Sequence, residues 1–201
     1  MKPPHPLWKL AQVIVRVGTS VLFDLKVYGR EHVPLEGGAL MISNHQSLLD
    51  PAVLGAQLWR PMSYLAKSEL WKNPIFGWVI TRLNAFPVRQ GAGDVGAIKE
   101  TIARLHEGHL LNIYPEGSRT EDGELLPIQP GAALVIRRAG VLVVPAVVDG
   151  SYYAWPKGRL LPTRSFTRLI PEPDGSSSAL RAACIASCCR SRACCSFSMR
   201  I

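Results

Sequence analysis

The sequence predicts an α/β domain, a mostly parallel sheet with helices on both faces, preceded by an N-terminal amphipathic helix. Three observations predict it. Short apolar runs alternate along the chain with segments of helical period. Two of those runs, residues 39–42 and 141–148, are apolar without alternation, as strands buried on both faces of a parallel sheet are. Polar clusters carrying His, Arg and Glu directly follow three of the runs, and an open α/β sheet holds its ligand crevice outside the carboxyl ends of its strands.

The totals agree with one domain. A chain of 201 residues, 47% hydrophobic and 19% charged, is long enough to bury a substantial core. The net charge of +8 fits an anionic partner: acidic lipid, a phosphorylated substrate or nucleic acid. No repeat and no aromatic–basic motif of an RNA-binding module accompanies that charge, so nucleic acid is not expected. Four of the five tryptophans fall in the first 80 residues, which suits a membrane-interface surface as well as a core.

Residues 7–25 are mostly apolar, but Lys9, Gln12, Arg16, Thr19 or Ser20, and Asp24 recur every three to four positions. That is a helix with a narrow polar stripe. Its apolar runs are far shorter than the ~18 residues of a spanning helix, and no small-residue cleavage site marks a secretory signal. Two arrangements fit. The helix packs on the domain, or it lies in a bilayer interface with Lys9 and Arg16 towards the headgroups.

Residues 25–29 alternate as a strand, and 39–42 form the first buried strand. After a helix over 52–59, residues 62–66 read as a strand, with Lys67 at its end. Asn73-Pro74 opens a helical piece through Ile80, and residues 85–88 make a brief strand ending at Arg89. Asp94 caps a helix reaching His106, with Val95, Ile98, Ile102 and Leu105 on one face. Residues 110–114 are a strand, 131–138 a helix stopped by Gly140, and 141–148 a strand. Pro145 would cost that strand a ladder bond unless it sits at an edge or bulge.

The most informative stretch is Ser43-Asn44-His45-Gln46-Ser47-Leu48-Leu49-Asp50-Pro51. Pro51 suits the first helical position and Asp50 the cap before it. A turn between His45 and Asp50 lets the imidazole fold back to the carboxylate. The carboxylate then fixes one ring nitrogen and leaves the other to take a proton from a hydroxyl. The plainer alternative is a surface histidine beside a helix-capping aspartate.

Three further blocks share the chain with this one: Phe86-Pro87-Val88-Arg89, then Tyr114-Pro115-Glu116-Gly117-Ser118-Arg119-Thr120, then Val144-Pro145-Ala146-Val147-Val148-Asp149-Gly150. Together and in this order, over roughly residues 27–162, they resemble the glycerolipid acyltransferases, the lysophosphatidate acyltransferase (PlsC-like) family with its NHxxxxD signature. The resemblance implies a 1-acylglycerol-3-phosphate acyltransferase. His45 would be the general base and Asp50 its orienting partner. Arg89, Glu116, Gly117, Ser118, Arg119 and Lys67 would surround the phosphorylated acceptor. Asn84 stands where the second block usually opens with Gly.

Arg119 can grip phosphate with two parallel N–H bonds, Gly117 lets the backbone approach a bulky anion, and Ser118 adds a hydroxyl donor. Glu116 cannot bind phosphate and would orient an arginine or the glycerol hydroxyl. Backbone N–H groups near the helix after His45 would hold the developing oxyanion. The expected partners are a lysophospholipid acceptor, acyl-CoA or acyl-carrier protein as co-substrate, and a membrane surface. The expected location is the cytoplasmic face of a membrane, peripheral or monotopic. No cofactor is expected, and the five histidines form no metal-ligating cluster with carboxylates. No GxSxG elbow supports Ser47 as a nucleophile. Acylation of a different lysolipid, or anionic-lipid binding without catalysis, are the alternatives.

Residues 163–201 depart from this pattern. All five cysteines lie between positions 184 and 195, amid Arg, Ser and Ala, in no zinc or redox spacing. The reading is three segments: an amphipathic helix over 1–26, interfacial or packed on the domain, an acyltransferase domain over 27–162, and an atypical tail over 163–201. The simplest account of the tail is a reading-frame shift after about Leu161.

Overall fold

The computed structural model describes residues 5–23, 25–88, 95–159, 161–162 and 197–200. The elements follow in the order α1 (Pro6–Leu22), β1 (Lys26–Tyr28), β2 (Ala39–Ser43), α2 (Asp50–Gln57), β3 (Met62–Lys67), α3 (Pro74–Arg82) and β4 (Ala85–Val88). Then come α4 (Val95–His106), β5 (Leu110–Ile113), α5 (Pro130–Ala139), β6 (Leu142–Asp149), α6 (Ser151–Ala154) and β7 (Phe197–Arg200).

One sheet of seven strands runs in the order β1-β7-β6-β2-β5-β3-β4. Every neighbouring pair is parallel except β1 with β7. The strand after the fourth block, invisible in the sequence, is β7, which lies within the stretch set apart as a tail and pairs between β1 and β6. The cysteines of that stretch lie outside the described residues.

The unalternating apolar character of β2 has its cause here, because all five of its residues are buried. Ala39 and Met41 pack with Val53, Leu54 and Leu58 of the α2 layer, and Leu40 and Ile42 with Leu105 of α4 and Val135 and Ala139 of α5. A central strand covered on both sides has no polar face to show. Gly140, expected to stop α5, is its left-handed C-cap at φ 62°.

Pro145 sits neither at an edge nor at a bulge, contrary to expectation; it pairs opposite Ile42 in the interior of the sheet. The Asn44 side chain bonds both the N–H and the C=O of Val148. Val148 therefore faces the β2 side. By the alternation of a strand Val144 and Ala146 do too, and Pro145 faces the other way. There β7 joins only from Ala146 onward. The missing N–H costs the β2–β6 ladder nothing.

Of the two arrangements open to the N-terminal helix, packing on the domain is the one Arg16 takes, not a headgroup contact. Gln12 Nε2 donates to the carbonyls of Ala56 (3.1 Å) and Leu58 (2.8 Å), and Arg16 donates to the same two. These are carbonyls at the C-terminal end of α2, the negative end of its dipole. Gln12, Arg16 and the buried Thr19 of the polar stripe thus face the domain, whereas Lys9 is exposed, as are Leu10, Val13, Ile14, Val17 and Val21. Among the described residues no helix is long and apolar enough to cross a membrane.

Candidate active site

The site begins where β2 ends. Asp50 Oδ2 lies 2.9 Å from His45 Nδ1 and accepts the N–H groups of Gln46 (2.7 Å) and Ser47 (2.8 Å). The expected role of Asp50 as a forward-facing cap is thereby corrected. It is the first residue of α2, Leu49 is the N-cap, and its carboxylate turns back onto the preceding loop. An ionised carboxylate only accepts, so Nδ1 carries the proton and Nε2 keeps its lone pair. Asp50 is fully buried and His45 is 17% exposed, so the pair is sheltered while one imidazole edge meets solvent.

The third block holds His45 by its backbone. Glu116 Oε1 accepts the His45 N–H at 2.9 Å, and the N–H of Thr120 donates to the His45 carbonyl at 3.1 Å. The other Glu116 oxygen accepts from Leu126 N–H at 2.8 Å. Both oxygens serve backbone groups, so Glu116 holds the His45 loop in place, a task the sequence does not reveal. Burial pushes its pKa up, and the two N–H donors pull against that shift. Asn44, a signature residue with no role assigned from sequence, clasps Val148 of the fourth block. The first, third and fourth blocks are therefore one hydrogen-bonded unit.

The same bonds take up four of the backbone donors near the site expected to hold the oxyanion. The N–H of His45 is taken by Glu116, those of Gln46 and Ser47 by Asp50, and that of Leu49 by the Ser47 hydroxyl. Ser47 Oγ in turn donates to the Trp155 carbonyl, which occupies the atom a hydrolase nucleophile would use.

Gly117 adopts φ 73° at the exposed tip of the loop, a conformation other residues rarely take, and Ser118 beside it is exposed. Arg119 is half-buried and makes no hydrogen bond with another described residue, one residue from the Thr120 N–H that meets His45. Lys67 is exposed at the carboxyl end of β3. Arg89 lies outside the described residues, although β4 leads to it and Phe86 of that block is buried beneath the Arg104 guanidinium. Tyr114 and Thr120, which sequence reading passed over, both touch His45. Their only sequence signal is membership of the third block.

Residues 24–149 match the family described as Acyltransferase. The chain belongs to the acyltransferase family. It is 29% identical over 145 residues to the 1-acyl-sn-glycerol-3-phosphate acyltransferase of Bacillus subtilis, covering 72% of each. It is 28% identical over 159 residues to the chloroplastic 1-acyl-sn-glycerol-3-phosphate acyltransferase LPAT1 of Arabidopsis thaliana, covering 78% of this chain and 43% of that one. It is 30% identical over 138 residues to the lyso-ornithine lipid O-acyltransferase of Pseudomonas aeruginosa, covering 68% of this chain and 51% of that one. The crystal structure of the 1-acyl-sn-glycerophosphate acyltransferase PlsC from Thermotoga maritima shares the fold, with a TM-score of 0.64 at 24% identity, over 96% of this chain and 66% of that one. Thus the acyltransferase spans less than two thirds of several relatives' length. The strand-end convergence that the sequence implies for His45 and the Glu116–Arg119 loop is present in this fold.

Proposed function

We propose that this acyltransferase transfers an acyl chain from acyl-CoA or acyl-carrier protein to the free hydroxyl of 1-acyl-glycerol-3-phosphate, giving phosphatidate. The observation that carries the reading is the sheltered His45–Asp50 pair, 2.9 Å apart, with Arg119 one residue from the His45 contact. His45 Nε2 takes the hydroxyl proton as the oxygen attacks the thioester carbonyl, and Asp50 stabilises the imidazolium. The tetrahedral intermediate then collapses, the C–S bond breaks, and the imidazolium returns the proton to the thiolate. Arg119, with Ser118 and the Gly117 backbone, is assigned to the acceptor's phosphate; Arg89 and Lys67 are assigned to the same anion.

Arg119→Lys tests the acceptor assignment. Lysine keeps the charge and loses the fork, so the acceptor KM should rise by the equivalent of about 1.5–3 kcal/mol, and more than the donor KM. A panel of lysolipids with and without phosphate, assayed by product analysis, checks this. Equal losses with both classes would assign Arg119 to the fold or the donor. The similarity to a lyso-ornithine lipid O-acyltransferase supports a second reading, acylation of a phosphate-free lysolipid. It would replace the first if only phosphate-free acceptors yielded product.

The proposed site of action is the cytoplasmic face of a membrane, reached through α1. Each exposed Val, Leu or Ile on its outer face offers roughly 1 kcal/mol for leaving water half-covered. Charges placed there leave the inward polar stripe untouched. Val13→Asp/Val17→Asp is expected to weaken co-sedimentation with phosphatidylglycerol vesicles about tenfold or more, with the melting temperature little changed. Undiminished vesicle binding would remove α1 from the membrane contact.

A further inference from the structure

The Asp50 hydrogen bond fixes His45 at one atom and leaves one soft motion, a tilt of the imidazole about that bond. Something must oppose it if Nε2 is to keep its aim. The Tyr114 ring does so sterically: it lies flat against the imidazole, centroids 3.9 Å apart and planes 16° apart. The tyrosine itself packs against the core layer to which Met41, Leu54 and Val148 belong, which restrains it.

The rest of Tyr114 is unsuited to a chemical task. Its hydroxyl is buried and makes no well-formed hydrogen bond with a described residue. Burial and the Asp50 charge both push its pKa up, so the phenol stays neutral, with only Ser43 and Asn112 beside it pulling the other way. The hydroxyl thus sits at the core side of the site, and the flat face is what meets the base.

We propose that Tyr114 is a positioning residue whose ring, rather than its hydroxyl, holds the His45 imidazole in the plane that presents Nε2 to the acceptor hydroxyl. This rests on the proposed role of His45 as general base. A reacting atom displaced by about 1 Å can cost on the order of 10²-fold in rate, so loss of the flat support should appear in kcat.

The test compares Tyr114→Phe, which keeps the stack and removes the hydroxyl, with Tyr114→Leu, which removes the stack. Tyr114→Met takes its place if the leucine variant does not fold. Steady-state rates give kcat and both KM values, and the His45 ring-proton NMR resonance reports the stack without any substrate. The phenylalanine variant should keep kcat within about threefold and the upfield ring-current shift. The leucine variant should lose about 10–100-fold in kcat with KM changed less than about twofold, and should lose the shift. A folded leucine or methionine variant with wild-type kcat overturns the proposal, as does a phenylalanine variant as slow as leucine. An unshifted His45 resonance in the wild type overturns it too. A wild type that acylates no lysolipid would sink the acyltransferase reading instead, and the resonance would still decide whether Tyr114 holds the ring.

Discussion

His45→Ala is expected to lower kcat by about 10²–10⁴-fold, the usual worth of a positioned general base. The acceptor KM should change little, because the residues assigned to the phosphate are untouched. Folding should survive. The imidazole lies at the edge of the core, and the hydrogen bonds that Glu116 and Thr120 make to position 45 are to its backbone. Asp50 would lose one of three partners and keep the Gln46 and Ser47 N–H groups. Initial rates on purified protein, with the melting temperature alongside, check both halves. Near-normal turnover in a folded His45→Ala protein would end the general-base assignment.

Asp50→Asn is expected to cost nearly as much, about 10²–10⁴-fold in kcat. The asparagine oxygen can go on accepting from Gln46 and Ser47, so the loop keeps its shape. The change acts on the base instead: the amide oxygen can keep the place of Oδ2 beside Nδ1, but a neutral amide no longer stabilises the imidazolium. Asp50 is buried and its charge is hydrogen-bonded, so the neutral amide should also remove about 1–3 kcal/mol of stability. A variant that lost that stability and kept its rate would make Asp50 a structural residue, the plainer alternative that the sequence leaves open.

Much of this molecule is legible in the sequence because it depends on neighbours in the chain. The buried strands at 39–42 and 142–148, the helix reaching His106 and the Gly140 stop are set by apolar periodicity and by backbone freedom at one residue. The His45–Asp50 pair is legible for the same reason, since five residues and one turn suffice to bring the rings and oxygens together. Convergence of the first and third blocks follows from a general property of parallel sheets, the shared carboxyl end.

The rest has a different cause. The helix alone leaves Arg16 free to face headgroups or the domain, and its partners are carbonyls 40 and 42 residues away. The oxygens of Glu116 accept backbone N–H groups 71 and 10 residues away, contacts no local pattern shows. Whether Pro145 costs its strand a ladder bond depends on the side it faces, which is set where Asn44 clasps Val148, 104 residues apart. The strand β7 has no periodic signature in four residues and exists by pairing. The sequence by itself thus determined most of the elements, their order and the pairing of His45 with Asp50, all products of local preference and of residue type. The tertiary structure alone decided which way α1 turns, which oxygen of Glu116 meets which N–H, and that a tyrosine lies against the base. A buried hydrogen-bonding group takes whichever partner the fold brings within about 3 Å, and no local pattern records that distance.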